Sequence, residues 1–521
     1  MKQVLSVLLL SILLLLTGCS ENQSEEAFSA DPSSETAAET VSAVEYIYFS
    51  PNYTENNGTL TASKTVSEKS EQIYSAAMFE SALLEGDFAA EVEMTLDSVY
   101  AGGGILFRGS SSDLYDGIEG YALMLRDRRI YLYDMGGSKF SGMMPKELAC
   151  RVIDRPKKGD TIRLRIEREN NTFRLYYLDD MEGVEPWPEF EFILTEHRGI
   201  GIGVIDNGQG ASFRNLTVTE YHAPPSAEKK YKNPVFSELQ AADPYVLYHD
   251  GRYYCYSTSA PVGYYVYVSD DLVKWENAGL CLEKAWGIDK SGWYWAPEVI
   301  EHNGKFYMIM SVDEHLGFAV ADSPLGPFEP EETWLFEKSI DGHIFMDDDG
   351  QAYLYYVSWR NGVYGIYGCE LEEDIVSARP GTEKLLLSPE ESWEKIDGSV
   401  TEGPFILKHN GLYYLTYSGT GYTSPDYAVG YAVSETPLGE FKRYDANPVL
   451  SRTSVFYGTG HHCFTYSPSG ELMIVYHVHA STTEVHPRKV CIDRARFVPT
   501  ESGTDRLEIW GPTHTAQDAP R

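Results

Sequence analysis

From about residue 45, apolar and polar positions alternate with a period of two, broken by glycine and asparagine turns. In DTIRLRIE the side chains of Ile162, Leu164 and Ile166 share one face while Arg163, Arg165 and Glu167 share the other, which predicts a half-buried antiparallel strand. FAAEVEMTL, GGGILFRG, EGYALMLRDRRIYLYDMGG and GIGIGVIDNGQGASFRNLTVTE continue the pattern. Together they predict a β-sandwich, or jelly roll, over residues 45–222. The proline- and lysine-bearing stretch APPSAEKKYK, 223–232, reads as a linker, so a second domain is expected over 233–515.

Within that second domain one phrase recurs, a polar-glycine turn opening an aromatic alternating strand. It appears as HDGRYYCYSTS at Gly251, HNGKFYMIMSV at Gly304, DDGQAYLYYVS at Gly350, HNGLYYLTYSG at Gly411 and PSGELMIVYHV at Gly470. Spacings of 53, 46, 61 and 59 residues are those of propeller blades with about four short strands each. Five copies predict a five-bladed β-propeller, and the chain as a whole is expected to be all-β.

The first strand of a blade lines the central channel, so the positions eight or nine residues before each glycine should converge. Reading back gives Asp243, Trp295, Asp341, Glu402 and His461. Three acids, a histidine and a tryptophan are thus expected on one ring. Charges on innermost strands must be solvated in a cavity or paired, because burying them otherwise is costly. The bland alternative is a polar plug of hydrogen-bonded acids. Asp348 and Asp349 belong to the DDDG turn and are read as turn formers.

Composition sharpens this picture in three places. The opening MKQVLSVLLLSILLLLTGCS is too short to span a membrane and reads as a signal peptide, 1–19, whose LTGC resembles the bacterial lipobox with Cys19 as the lipidated residue. Residues 20–44, rich in Ser, Glu and Ala, read as a disordered tether, which puts the protein outside the cytoplasmic membrane on a lipid anchor. The remaining cysteines show no CxxC pair or zinc-like spacing and are expected to be buried apolar residues. A formal charge of −36 disfavours nucleic acid and anionic membranes or substrates and favours a neutral partner, with the solubility of an exported protein as the bland alternative; a monomer is expected.

With these residues in place, the second domain resembles glycoside hydrolase family 43, five-bladed propeller enzymes that act on arabinose- and xylose-containing polysaccharides. The matching pieces are ADPYVLYHDGRYYCYST, WAPEV, IDGHIFMDDDGQAYLYY, TEGPFILKHNGLYYLTYS, GTGHHCF and VHPRKVCIDRARF. The family often has proline after the middle aspartate, where Gly342 stands here. The first domain resembles the concanavalin-like sandwiches appended to bacterial glycosidases, some of which bind sugar. Sugar binding and a structural spacer both stay open for it.

The resemblance implies Asp243 as general base, Glu402 as general acid and Asp341 as the residue that orients the acid and tunes its pKa. It implies substrate contacts from Arg488, whose alternative is a surface arginine, and a role for His461 in holding a hydrated channel cation such as calcium, with His462 as the other candidate. No cation is needed for the chemistry itself. Trp295 and Phe345 are expected to wall the sugar subsite, with Trp295 as plain core aromatic the alternative. Asp243 and Glu402 come from blades one and four, across the channel, which favours the wide carboxyl separation of an inverting enzyme. An exo-acting α-L-arabinofuranosidase is the first expectation, followed by β-D-xylosidase, β-D-galactofuranosidase or endo-arabinanase. A retaining fructan hydrolase would need a WMNDPNG-like opening and an RDP aspartate, neither of which is present. A surface glycan-binding lipoprotein is the non-enzymatic alternative.

Overall fold

The computed structural model describes Thr40–Arg521 except residues 42–47, 50–52, 64–73, 80–81, 99, 111–117, 137–144, 154–158, 179–183, 197–198, 224–228, 237–240, 259–262, 289–291 and 501. Cys19 and the signal peptide lie outside the described residues. The end of the segment read as a tether does not conform to that reading, because Thr40–Val41 pairs with Val218 and Thr219.

The sandwich consists of two antiparallel sheets of eight and seven strands. Ile162, Leu164 and Ile166 are buried between them, as their alternation predicts, alongside Phe107, Leu123, Phe173, Val204 and Phe213. Gly104 shows how close the strands lie, since a Cβ there would stand 1.8 Å from the Leu123 carbonyl oxygen.

Five four-stranded antiparallel sheets follow, one per glycine repeat. Their first strands are Ala242–His249, Tyr294–His302, Ser339–Met346, Thr401–His409 and Gly460–Tyr466. The propeller reaches beyond the expected limits at both ends, because Lys230–Tyr231 pairs with Gln517–Asp518.

Turn length explains why the repeat is not quite uniform. In blades one, two and four the turn is a pair of left-handed residues, Asp250–Gly251, Asn303–Gly304 and Asn410–Gly411, which matches the strand twist of a tight hairpin. In blades three and five the strands close around the longer turns 347–351 and 467–471. Equivalent inner positions therefore lie eight residues before the glycine in three blades and nine in the other two.

The sandwich packs on the outer edge of blades four and five. Arg151 donates to the Ile509 and Gly511 carbonyls at 3.3 and 2.6 Å, and Arg496 donates to the Glu185 carbonyl at 2.9 Å while lying 4.0 Å over the Trp187 ring. The contact encloses a cavity of about 200 Å³. Of the six cysteines among the described residues, five are buried, Cys150 is half-buried, and all are free thiols.

Candidate active site

Each first strand carries a β-bulge at the same place. The register breaks across Asp243–Pro244, Ala296–Pro297, Asp341–Gly342, Gly403–Pro404 and His461–His462. The first residue of every bulge has a positive φ: 51° at Asp243, 37° at Ala296, 57° at Asp341, 55° at Gly403 and 45° at His461. Five left-handed residues, four of them not glycine, are five copies of one backbone device that re-aims a side chain toward the axis.

This corrects the single ring expected from the sequence. The structural ring is Asp243, Ala296, Asp341, Gly403 and His461, while Glu402 and Trp295 stand one residue earlier on their strands. The longer turns of blades three and five put Asp341 and His461 at the same offset from the glycine as Glu402 and Trp295, and that coincidence merged two positions into one.

The bulges are held from the preceding blade. Ala296, Asp341 and His461 donate their backbone N–H to Thr258 Oγ1, Ser311 Oγ and Ser418 Oγ at 2.9, 2.9 and 2.8 Å. Asp243 donates to His477 Nδ1 at 3.2 Å, across the junction of blades five and one. The Gly403 N–H instead donates to Asp341 Oδ2 at 3.1 Å, tying the third blade's acid to the residue after Glu402. Gly342 also has a local reason, for a Cβ there would meet Ile309 Cγ1 at 2.4 Å.

Asp243 is buried at 7% exposure, and burial alone would favour its neutral form. Arg488 reverses that, with Nη1 donating to Oδ1 at 2.7 Å and Nη2 to Oδ2 at 3.2 Å. His461 and His477 each place Nδ1 3.3 Å from Oδ1, and Thr258 donates a hydroxyl to Oδ2. The Asp243 carboxyl is consequently held well below its ordinary value, and it is ionised. Burial keeps His477 neutral, with a pKa of about 3.

Glu402 has the opposite setting. Burial raises its carboxyl to about 7, against a hydrogen bond from Tyr427 at 2.8 Å, with Asp243's charge adding to the rise and Arg488 opposing it. Asp341 is also raised, by burial first and then by Glu402 and Asp243, with no cation beside it to compensate. The sequence reading has Asp341 orienting Glu402 and tuning its pKa. The structure makes the two a coupled pair that retains a proton while Asp243 is charged.

Arg488 lies beside the acids rather than on the surface, bonded to Asp243 and with its guanidinium 4.7 Å from the centre of the Tyr422 ring. Trp295 is half-buried and stacked on Trp293, centroids 5.5 Å apart. Phe345 is not brought to the acids. It lies four residues beyond Asp341, roughly 10–13 Å along the strand, and packs edge-to-face on Tyr413 in the core beside blade four.

Below the acids, an axial cavity of about 10 Å³ is lined by Pro244, Pro297, Glu298, Pro404 and His462, among others, room for about one water. Glu298 is taken up by His343 Nδ1 at 2.7 Å. His462 Nε2 is bonded to Thr416 at 2.7 Å, and its buried Nδ1 has no partner. Among the described residues no group of three or more His, Cys, Asp or Glu side chains is placed to hold a metal ion.

Sequence reasoning missed Thr258, Tyr427 and His477. His477 offered a signal, a lone histidine in the apolar run LMIVYHV. Thr258 and Tyr427 offered none, because their strands and turns are rich in similar polar and aromatic residues.

A five-bladed propeller carrying an ionised carboxylate on one inner strand and a proton-retaining carboxyl pair on two others has the equipment of a glycosidase. The chain belongs to the glycosyl hydrolases family 43, whose model matches residues 231–502. It is 29% identical to the beta-D-galactofuranosidase xynD of Aspergillus niger, over 52% of this chain and 84% of that one. It is 27% identical to an arabinoxylan arabinofuranohydrolase of Paenibacillus polymyxa, over 51% of this chain and 49% of that one. A solved structure of a thermostable family-43 glycoside hydrolase is 42% identical, with a TM-score of 0.51, over 56% of this chain and 99% of that one. The chain is therefore a glycosidase acting on carbohydrate.

The value near 7 at Glu402 makes a test of the site. A carboxyl raised above its unfolded value binds its proton more tightly when folded, so stability falls as pH rises from about 4.5 to about 7. Glu402→Gln is expected to melt a few degrees above wild type at pH 8 and level with it at pH 4, as measured by calorimetry. An equal difference at both pH values would mean that Glu402 is not charged late.

Proposed function

We propose that the protein is an exo-acting, inverting α-L-arabinofuranosidase. The observation that carries this reading is the opposed protonation of Asp243 and Glu402. Asp243, ionised by Arg488, removes a proton from water at the sugar face. Glu402, protonated near neutral pH, delivers its proton to the leaving oxygen. Asp341 accepts the Gly403 N–H, which fixes the backbone next to Glu402, and it shares the burden of negative charge with it. Asp243 and Glu402 stand on blades one and four with no hydrogen bond between them, an arrangement suited to a water between base and sugar.

The furanose preference is supported by the names of the two relatives above, a galactofuranosidase and an arabinofuranohydrolase. The first of these gives β-D-galactofuranoside as the second reading. A panel of p-nitrophenyl α-L-arabinofuranoside, β-D-galactofuranoside and β-D-xyloside is expected to show turnover chiefly on the first. Proton NMR of the nascent sugar is expected to show the inverted anomer. Retention would remove the water-mediated mechanism, and turnover of the xyloside alone would remove the furanoside assignment.

A channel cation would sit on His462 Nδ1 rather than on His461, which is committed to Asp243; no step of the chemistry runs through it. The protein works outside the cytoplasmic membrane as a monomer held by lipidated Cys19. Replacing Cys19 by serine is expected to release it from the membrane fraction.

A further inference from the structure

Two tryptophans that the mechanism does not use are exposed where blade one passes into blade two. Trp293 is 62% exposed and Trp286 is 42% exposed. Single exposed apolar residues need no explanation, but two of the largest on one short loop leave an apolar surface that water covers poorly. The loop joins the last strand of blade one to the first strand of blade two, at the end where the bulges gather the acids. Trp293 is continuous with the candidate sugar site through its stack on Trp295, 5.5 Å between centroids and 24° between planes.

Neither ring is loosely held. The Trp293 backbone is pinned on both sides by Asp313, whose N–H donates to the Trp293 carbonyl at 3.1 Å and whose Oδ1 accepts the Trp293 N–H at 2.8 Å. The loop before it is anchored by the Tyr294 hydroxyl, which accepts the Ala285 N–H at 3.2 Å. Trp286 meets Trp334 edge-on at 6.4 Å, and Trp334 lies over Gly317, where a Cβ would come within 2.7 Å of its ring. Each exposed ring is therefore backed by a second ring, and little rotamer freedom remains to be lost on binding.

We propose that Trp293 and Trp286 form a stacking platform for sugars of a neutral glycan beyond the one held at the acids. This rests on the glycosidase reading above and extends it from one sugar to a chain. Flat, fixed indole faces suit the apolar faces of pyranose and furanose rings. The described residues of the loop and of the turn facing it carry Glu283, Lys284, Asp313 and Glu314, a negative balance that argues against an anionic polymer. Continuity with the stacked Trp295 argues for a glycan rather than a protein partner.

The test compares a short and a long substrate. For Trp286→Ala and for Trp286→Ala with Trp293→Ala, kcat/KM is measured on p-nitrophenyl α-L-arabinofuranoside and on soluble arabinoxylan. The ratio of arabinoxylan to aryl glycoside activity is expected to fall about tenfold or more in the double variant, the factor that corresponds to roughly 1.4 kcal/mol. Trp286→Phe is expected to recover most of the ratio, which a general loss of fold would not allow. Equal losses on both substrates would overturn the platform. So would a concentration-dependent dimer that disappears in the variants while glycan binding is unchanged. Affinity electrophoresis in arabinoxylan reads binding without turnover. If wild type cleaves none of the aryl glycosides, the function reading fails by itself, and an unchanged mobility shift in the double variant overturns the platform.

Discussion

Glu402→Ala is expected to lower kcat/KM on arabino-oligosaccharides by about 10²–10⁴-fold, the usual contribution of a positioned general acid. On an arabinoside of 2,4-dinitrophenol, whose leaving group departs without a proton, the loss is expected to be about tenfold or less. The contrast follows from the setting of this carboxyl. Among the described residues Glu402 has no cationic hydrogen-bond partner; its side chain accepts a bond from the neutral Tyr427 hydroxyl, and burial keeps its proton near neutrality. Steady-state kinetics on the two substrates measure the difference directly. Comparable losses on both would transfer the acid role to Asp341, the other member of the coupled pair.

Arg488→Met is the second large effect, and its sign is distinctive. Arg488 lowers the Asp243 carboxyl through two hydrogen bonds and also opposes the rise at Glu402. Its removal should raise both carboxyls, so the acidic and alkaline limbs of the pH profile of kcat/KM both move upward. Stability changes too. A carboxyl depressed in the folded state contributes stability above its unfolded value near 4, lost only as pH falls toward its folded value. Without Arg488 that contribution shrinks across the neutral range, and a buried aspartate without its partner costs roughly 3–5 kcal/mol. Urea unfolding at pH 7 should show the loss, while Arg488→Lys should recover part of it. A shift of the acidic limb alone would mean that Arg488 does not reach Glu402.

The propeller was legible because a two-residue hairpin demands left-handed residues at its tip, and asparagine or aspartate followed by glycine meets that demand. Counting from the glycine located Asp243, Asp341, Glu402 and His461 because inner strands are short and start at the axis. The count could not separate eight from nine residues, since turn length in blades three and five depends on hydrogen bonds within 347–351 and 467–471 rather than on the repeat. The bulge was invisible for a related reason. In four blades its positive φ falls on aspartate, alanine or histidine, and Gly403 of blade four, a single glycine, does not make a repeat. His477 and Thr258 reach Asp243 from other strands and another blade, a relation that no spacing along one strand encodes. Phe345 was misplaced because period two assigns a side chain to a face of the sheet and says nothing of its distance along the strand.

The five bulges separate backbone from chemistry in a way that bears on how such a site can change. Each is fixed by its own strand register, and four of the five by a hydroxyl or imidazole of the preceding blade; none needs a particular side chain at its first residue, as alanine, glycine, aspartate and histidine there demonstrate. The axis is in effect a five-position socket whose occupants can be exchanged one at a time without rebuilding the blade. Ala296 and Gly403 are the socket positions that hold no functional group, and Ala296 faces the same axial cavity as Asp243, Asp341 and His461. A new proton donor or ligand introduced at Ala296 would arrive already aimed at the three side chains on the ring.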